Sequence, residues 1–264
     1  MENNFTVLFD FDSMVYKAVY KIVSISKIRS WLRASRTREW MEQEIMNLTL
    51  NRLMQMSDGI LLEIEDTEIN IESVEYFLTV CPESVRKTAS PIYKANRKKN
   101  KWVSMVRKEL VAMDGFIFNE KWEADDLIKD RAVEIGDGRY LICSIDKDLK
   151  QIDGLHFDYY RPRSNELNEK GFRKVLPCRG LEIVSPEQAH KFFWKQMLMG
   201  DSGDNIKGIP RIGKVKAEKI LSEVNPEEYE GVVRNEYVKY FGIDWLHHYS
   251  LHKLLIGLGV NHRP

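Results

Sequence analysis

Two short apolar runs, each stopping at an aspartate, constrain this chain more than any other feature. FTVLF (residues 5–9) ends at Asp10, and RYLICSI (139–145) ends at Asp146. Both are dense in β-branched, aromatic and aliphatic residues, the pattern of a strand buried on both faces. VEYFLTV (74–80) reads as another such strand and FIFNE (116–120) as a shorter one. Helical spacing of apolar residues fills the stretches from Trp31 to Met56, Trp102 to Met113 and Asp125 to Ile135. After Asp58-Gly59, the alternation in ILLEIEDTEINI suggests a strand or hairpin. Strands alternating with helices give an α/β fold with a mainly parallel sheet flanked by helices. Ser185-Pro186-Glu187 opens a helix through Met199, with serine as N-cap and proline in the first turn. Beyond it the pattern is all-helical, so two modules are expected, 1–185 and 186–264. In open parallel sheets ligands gather beyond the carboxyl ends of the strands, so Asp10 and Asp146 should face one crevice.

A 43% hydrophobic content is enough for a sizeable core. No stretch is apolar for the roughly eighteen residues that a membrane span needs, and MENNF lacks the features of a leader, so a soluble, cytoplasmic protein is expected. Cys81, Cys143 and Cys178 are far apart, which suggests reduced thiols rather than a disulfide frame or zinc knuckle. His248 and His252 share a helical face with no flanking ligand motif and read as an ordinary surface pair. The net charge is zero, but it is segregated. Seven basic residues and no acid lie between Ser13 and Arg38, and nine basic residues and no acid between Ser84 and Lys108. Eight acids and no lysine or arginine lie between Asp58 and Glu83. Segregation of this kind steers polyanions, and Tyr93 and Trp102 interleave the second basic run as in strand-binding surfaces.

The acids fall in four groups: Asp10 with Asp12; Glu123, Asp125 and Asp126 in WEADDLI; Asp146 and Asp148 in SIDKDLKQI; Asp201 and Asp204 in MGDSGDNIKGIPRIGKVKA. If the strand persisted past Ile145, Asp146 and Asp148 would point the same way. So many like charges at one crevice need compensation. Hard oxygen donors without neighbouring histidine favour Mg²⁺ or Mn²⁺. Two such ions about 3.5–4 Å apart can drive phosphodiester hydrolysis. Carboxylates followed at once by a glycine- and lysine-rich turn make sense if a metal stands between acid and phosphate. In that turn Gly208 and Gly213 let backbone N–H groups approach a phosphate, and Lys214 and Lys216 add charge at a helix start.

LFDFDS, IYKANRKK, EADDLI, SIDKDLKQI and MGDSGDNIKGIPRIGKVKA resemble, in this order, the motifs of the 5′-nuclease superfamily, the flap endonucleases and phage 5′→3′ exonucleases. The resemblance covers residues 5 to about 221 and is firmest over 93–97, 123–126 and 144–217. It implies a PIN-like fold with a C-terminal helix-hairpin-helix-like DNA-binding module. It implies a first metal cluster of Asp10, Glu123 and Asp125 and a second of Asp146, Asp148, Asp201 and Asp204, with Asp126 between or behind them. Lys94 and Arg97 would contact the scissile phosphate, Lys94 as electrostatic catalyst, and Tyr93 would stack on a base. Lys98, Gly208, Ile209, Gly213, Lys214 and Lys216 would complete the DNA contacts. Members often bind K⁺ in the 206–213 turn. The partners implied are DNA with 5′ ends, flaps or junctions, with RNA–DNA hybrid as a further substrate, acted on by a monomer in the cytoplasm, that of the host if a phage encodes it.

Two departures stand out. Cys81 lies where the family usually has an aspartate, so either Glu83 or Asp12 replaces it or the first metal binds weakly. Only 25 residues separate Arg97 from Glu123, short for the helical arch through which some members thread a 5′ end. Lys207 and Arg211 also stand where proline and glycine are common, which raises the charge of the turn. Two alternatives stay open: a junction-binding module with lost catalysis, and a PIN-type ribonuclease.

Overall fold

The structure, a computed structural model, describes residues 4–24, 37–136, 138–167, 169 and 173–260. Its strands are β1 (Asn4–Asp10), β2 (Asn70–Phe77), β3 (Phe116–Ile117), β4 (Tyr140–Cys143), β5 (Gly154–Asp158), β6 (Arg163–Leu167), β7 (Arg173–Val175), β8 (Gly180–Val184), β9 (Gly200–Asp201) and β10 (Ile206–Lys207). Six of them form one sheet in the order β3-β2-β1-β4-β5-β8. The first five run parallel and β8 pairs antiparallel at the edge. β1 lies at the centre because its side chains are apolar on both faces. Val7 and Phe9 point into one core cluster and Leu8 into the other.

The first cluster is covered by α1 (Phe11–Ser24), α2 (Arg38–Glu65) and, after the short α3 (Val85–Ala89), by α4 (Lys101–Val111). The opposite face is covered by α5 (Ala124–Ile135) through Ala124, Ile128 and Ala132. Beyond the sheet come α6 (Pro186–Met199), α7 (Lys214–Ser222), α8 (Tyr229–Phe241) and α9 (Trp245–Ile256). These helices share a further cluster, which also takes in Tyr93.

Several sequence expectations need correction. ILLEIEDTEINI is not a strand or hairpin at its start, because α2 continues to Glu65. Leu53, Ser57, Ile60 and Ile64 recur at helical spacing and are all buried, so burial of that stripe overrides the local alternation. The part of the expected helix from 31 to 36 lies outside the described residues. RYLICSI leaves the sheet at Cys143, before Asp146. Asp146 instead caps a 3-10 helix, Lys147–Gln151, with its carboxylate accepting the Asp148 N–H at 2.9 Å. The region past 185 is not purely helical, since β9 and β10 pair there. His252 is a core residue, not half of a surface pair. It is buried, and its Nδ1 lies 2.7 Å from the Tyr237 hydroxyl, which donates to the Met197 carbonyl at 2.7 Å. His248 stacks on Phe241 with ring centroids 4.0 Å apart.

Candidate metal centre

β1 delivers Asp10 to the carboxyl edge of the sheet, where its side chain is buried. Oδ2 accepts from the Ser144 hydroxyl at 2.6 Å and the Ser13 hydroxyl at 3.2 Å, and Oδ1 from the Asp12 N–H at 3.1 Å. Burial, and after it the nearby charges of Asp12 and Asp146, push the Asp10 carboxyl up to about 7. Asp12 turns toward Arg107 at 2.7 Å and the Thr79 N–H at 3.2 Å. At the end of β2, Cys81 is buried and its thiol is pushed up to about 12, chiefly by burial, with the Glu123 charge adding to it. A protonated thiol is a poor partner for a hard cation.

Glu123 is the N-cap of α5 and closes a capping box with Asp126. Burial opposes its ionisation, but Lys94 and Arg86 outweigh burial and hold the carboxyl down at about 2. Its Oε2 is held by the Lys94 ammonium and by the Tyr93 hydroxyl at 3.0 Å. Asp125 keeps part of its side chain open to the cleft, with Oδ1 3.6 Å from Arg86. Its carboxyl is pushed well above the usual range by burial first and by Asp126 and Glu123 next. Asp126 is fully buried, gripped through both oxygens by Arg86 at 2.6 and 2.8 Å, and lies behind the acids rather than on the cleft lining.

The YKANR turn docks on the GDSGD loop. The Lys94 N–H donates to the Asp204 carbonyl at 2.8 Å, Asn205 donates to the Ile92 carbonyl at 2.8 Å and Asn96 to the Ser202 carbonyl at 3.1 Å. Lys94 adopts φ 53°, uncommon for a lysine, which fixes the direction of its side chain. The ammonium stands between Glu123 and Asp204, 3.6 Å from Asp204 Oδ2. Arg97 pairs with Asp204 Oδ1. Tyr93 is 3% exposed and points its hydroxyl at Glu123 and Asp204, which leaves no ring face for a base. The expectation that it stacks is corrected to that of a buried hydrogen-bonding residue.

Asp148 and Asp201 meet across Lys147, which donates to Asp148 at 2.8 Å and also contacts Asp201. Gln196 on α6 donates to Asp148 as well. Burial first and Asp146 next raise the Asp148 carboxyl. Asp201 goes down, because Lys147 outweighs its burial. In the 206–213 turn, Ile209 is buried in the helical cluster, so its side chain is not on the surface. Gly208 is required by close backbone crossing: an added Cβ would lie 2.0 Å from the Met199 carbonyl carbon. Gly213 caps α7 in open space, with Lys214 and Lys216 exposed beside it.

Asp10, Glu123, Asp125 and Asp146 line one cleft of 1810 Å³, larger than the roughly 300–1,000 Å³ of a small-molecule pocket. The same cleft is lined by Lys17, Lys87, Lys94, Arg97, Lys98, Lys99, Arg107, Lys108 and Lys147. Asp148, Asp201 and Asp204 stand behind this lining. Among the described residues no three Asp, Glu, His or Cys side chains are close enough together to hold an ion as they stand. Arg86, Lys94, Arg97, Arg107 and Lys147 lie among the acids instead. The donors around the cleft are carboxylates with no histidine, a set suited to hard divalent cations. Sequence reasoning did not single out Arg86, Lys147, Ser144 or Gln196. Lys147 and Ser144 lie within a motif it did single out.

No family model matches the sequence. DNA polymerase I of Rhizobium leguminosarum is 34% identical over 152 residues, which cover 52% of this chain and 14% of that protein. The chain thus spans about a seventh of the length of this relative. T5 5′-exonuclease with divalent metal ions (zinc) bound is similar in structure, with a TM-score of 0.51 at 13% identity, covering 96% of this chain and 98% of that one. T5 D15 protein co-crystallised with metal ions covers 98% of this chain and 94% of its own, with a TM-score of 0.48 and 12% identity. The chain has the fold of T5 5′-exonuclease.

Proposed function

We propose that the chain is a divalent-metal-dependent nuclease that hydrolyses DNA phosphodiesters at or near 5′ ends, flaps or junctions. The observation that carries this reading is that Asp10, Glu123, Asp125 and Asp146 line one cleft together with nine lysines and arginines. The resemblance to a stretch of a DNA polymerase I and the shared fold with T5 5′-exonuclease support it. Asp10, Glu123 and Asp125 would hold one Mg²⁺ or Mn²⁺, and Asp146, Asp148, Asp201 and Asp204 a second. When bound, such ions lower the pKa of an attacking water and stabilise the leaving oxygen. Lys94 would leave Glu123 to donate to a non-bridging phosphate oxygen, and Arg97 would do likewise from Asp204. Lys98 in the cleft lining and the α7 start at Gly213, Lys214 and Lys216 would hold the backbone. In this reading Asp126 is a framework acid, and residues 186–264 form a DNA-binding module.

Labelled DNA with a 5′ flap tests this reading, with a matching RNA as control. Cleavage of the DNA with Mg²⁺ or Mn²⁺, abolished by EDTA and strongly reduced by Lys94→Ala, is expected. Cleavage that survives EDTA, or none from intact protein with metal, refutes it. One observation favours a binding module without catalysis: Cys81 is buried and protonated where an acid was expected, and Asp12 is committed to Arg107. Flap DNA bound in Ca²⁺ and never cut in Mg²⁺ would decide for that reading.

A further inference from the structure

Arg86 is the largest fully buried side chain among the described residues, and it does not itself line the cleft. Its guanidinium grips Asp126 with both ends, lies 3.5 Å from Glu123 Oε2 and 3.6 Å from Asp125 Oδ1, and donates to the Gly257 carbonyl at 3.0 Å. Gly257 belongs to the stretch that follows α9. That stretch leaves the helical cluster and returns to the sheet: the Gly259 N–H donates to Asp126 Oδ1 at 3.1 Å and the Val260 N–H to Asp130 Oδ1 at 3.0 Å. Leu258 is buried in the same cluster as Ala124 and Ile128 of α5. The helix that presents Glu123 and Asp125 is thus held from behind by residues 257–260.

We propose that Gly257–Val260, acting through Asp126 and Arg86, positions the Glu123 and Asp125 carboxylates, so that the acids and the helical region move as one unit. The inference rests on the nuclease reading above, in which those two carboxylates hold metal. Each link is geometric. Asp126 closes the capping box with Glu123, so the tail N–H that fixes Asp126 also fixes the first turn of α5. Arg86 bridges that fixed carboxylate to Glu123 and Asp125 with a planar fork, a geometry an ammonium does not reproduce. Gly259 has φ 101°, so any side chain there strains the tail and displaces its N–H from Asp126. Arg86 and the tail are positioning groups in this scheme, since neither faces the cleft.

The test uses the full chain with Gly259→Ala and Arg86→Lys, each checked for folding by circular dichroism. Mn²⁺ binding is read by electron paramagnetic resonance, amide exchange over residues 124–128 by mass spectrometry, and kcat and KM on flap DNA. Weaker Mn²⁺ binding by about 10-fold, a similar fall in kcat with KM within about twofold, and faster exchange confined to 124–128 are expected. A folded Gly259→Ala protein with wild-type Mn²⁺ affinity and wild-type exchange overturns the proposal, and it decides the matter if Arg86→Lys does not fold. A wild-type chain that binds no Mn²⁺ and cuts no DNA sinks the nuclease reading instead. The exchange measurement still judges the tail in that case, since unchanged protection at 124–128 in Gly259→Ala rejects it.

Discussion

Asp10 is buried at the carboxyl edge of the sheet, where an anion is costly, yet in the proposed function it would serve a metal ion as one. Two serine hydroxyls favour the anion, while burial and its acidic neighbours disfavour it. Asp146 is one of those neighbours and also raises Asp148. Asp146→Asn keeps the cap on the Asp148 N–H and removes the repulsion. It should raise the metal-free melting temperature by about 2–4 °C for roughly 1 kcal/mol, while cutting activity about 100-fold. A fall in both would make Asp146 a structural acid.

His252 supplies a separate handle. Burial first and His248 next hold it down at about 4, below the ordinary 6.5. The unfolded chain therefore takes up a proton between these values that the folded chain refuses. The contribution of neutral His252 to stability is full above about pH 6.5 and is lost toward pH 4, by at most roughly 1.4 kcal/mol per pH unit. Urea unfolding at pH 7 and pH 4.5 should show a shallower loss for His252→Gln than for wild type; equal losses would contradict this. Asp146 was expected at a strand end and caps a 3-10 helix instead, but Asp10 as a strand end and Glu123 as a helix start were legible. Arg86 was not, because it sits in a basic run whose other members are mostly surface charge, and nothing in spacing marks one of them as buried.

At the scale of the element, the turn between β9 and α7 separates two kinds of glycine. Gly208→Ala should destabilise the chain by more than about 2 kcal/mol, since its Cβ would overlap the Met199 carbonyl. Gly213→Ala meets nothing within 4 Å and should stay within about 1 kcal/mol of wild type in stability, yet weaken duplex binding. Equal thermal shifts for the two variants, or unchanged binding by folded Gly213→Ala, would contradict this assignment. Strands β1 and β4 were legible because burial on both faces leaves continuous apolar runs. β5 and β8 escaped notice, since GLHFD and GLEIV are short and carry charge. The end of α2 was misread because EIEDTEINI alternates as a strand does, whereas Ile60 and Ile64 continue a buried helical stripe. Only tertiary burial decides between the two periods.

At the scale of the molecule, the basic run between Ser84 and Lys108 comes to line the cleft through Lys87, Lys94, Arg97, Lys98, Lys99, Arg107 and Lys108, whereas of the acidic run between Asp58 and Glu83 only Glu83 does so. β1 brings Asp10, the 3-10 helix after β4 brings Asp146, α5 brings Glu123 and Asp125, and the loop after α6 brings Asp201 and Asp204 against the YKANR turn. The sequence grouped these acids as expected metal ligands, whereas the cations standing among them were not legible. Lysine and arginine reach several ångströms from their own backbone, so where they come to rest is set by the assembled fold. Lys94 pairs with Glu123, Arg97 with Asp204 and Lys147 with Asp201. The most direct measurement is anomalous scattering from crystals of the chain soaked in Mn²⁺. Peaks within bonding distance of the Glu123 and Asp125 carboxylates, with Lys94 withdrawn from Glu123, are predicted. Ordered crystals at millimolar Mn²⁺ with no peak in the cleft and Lys94 still on Glu123 would contradict the metal centre.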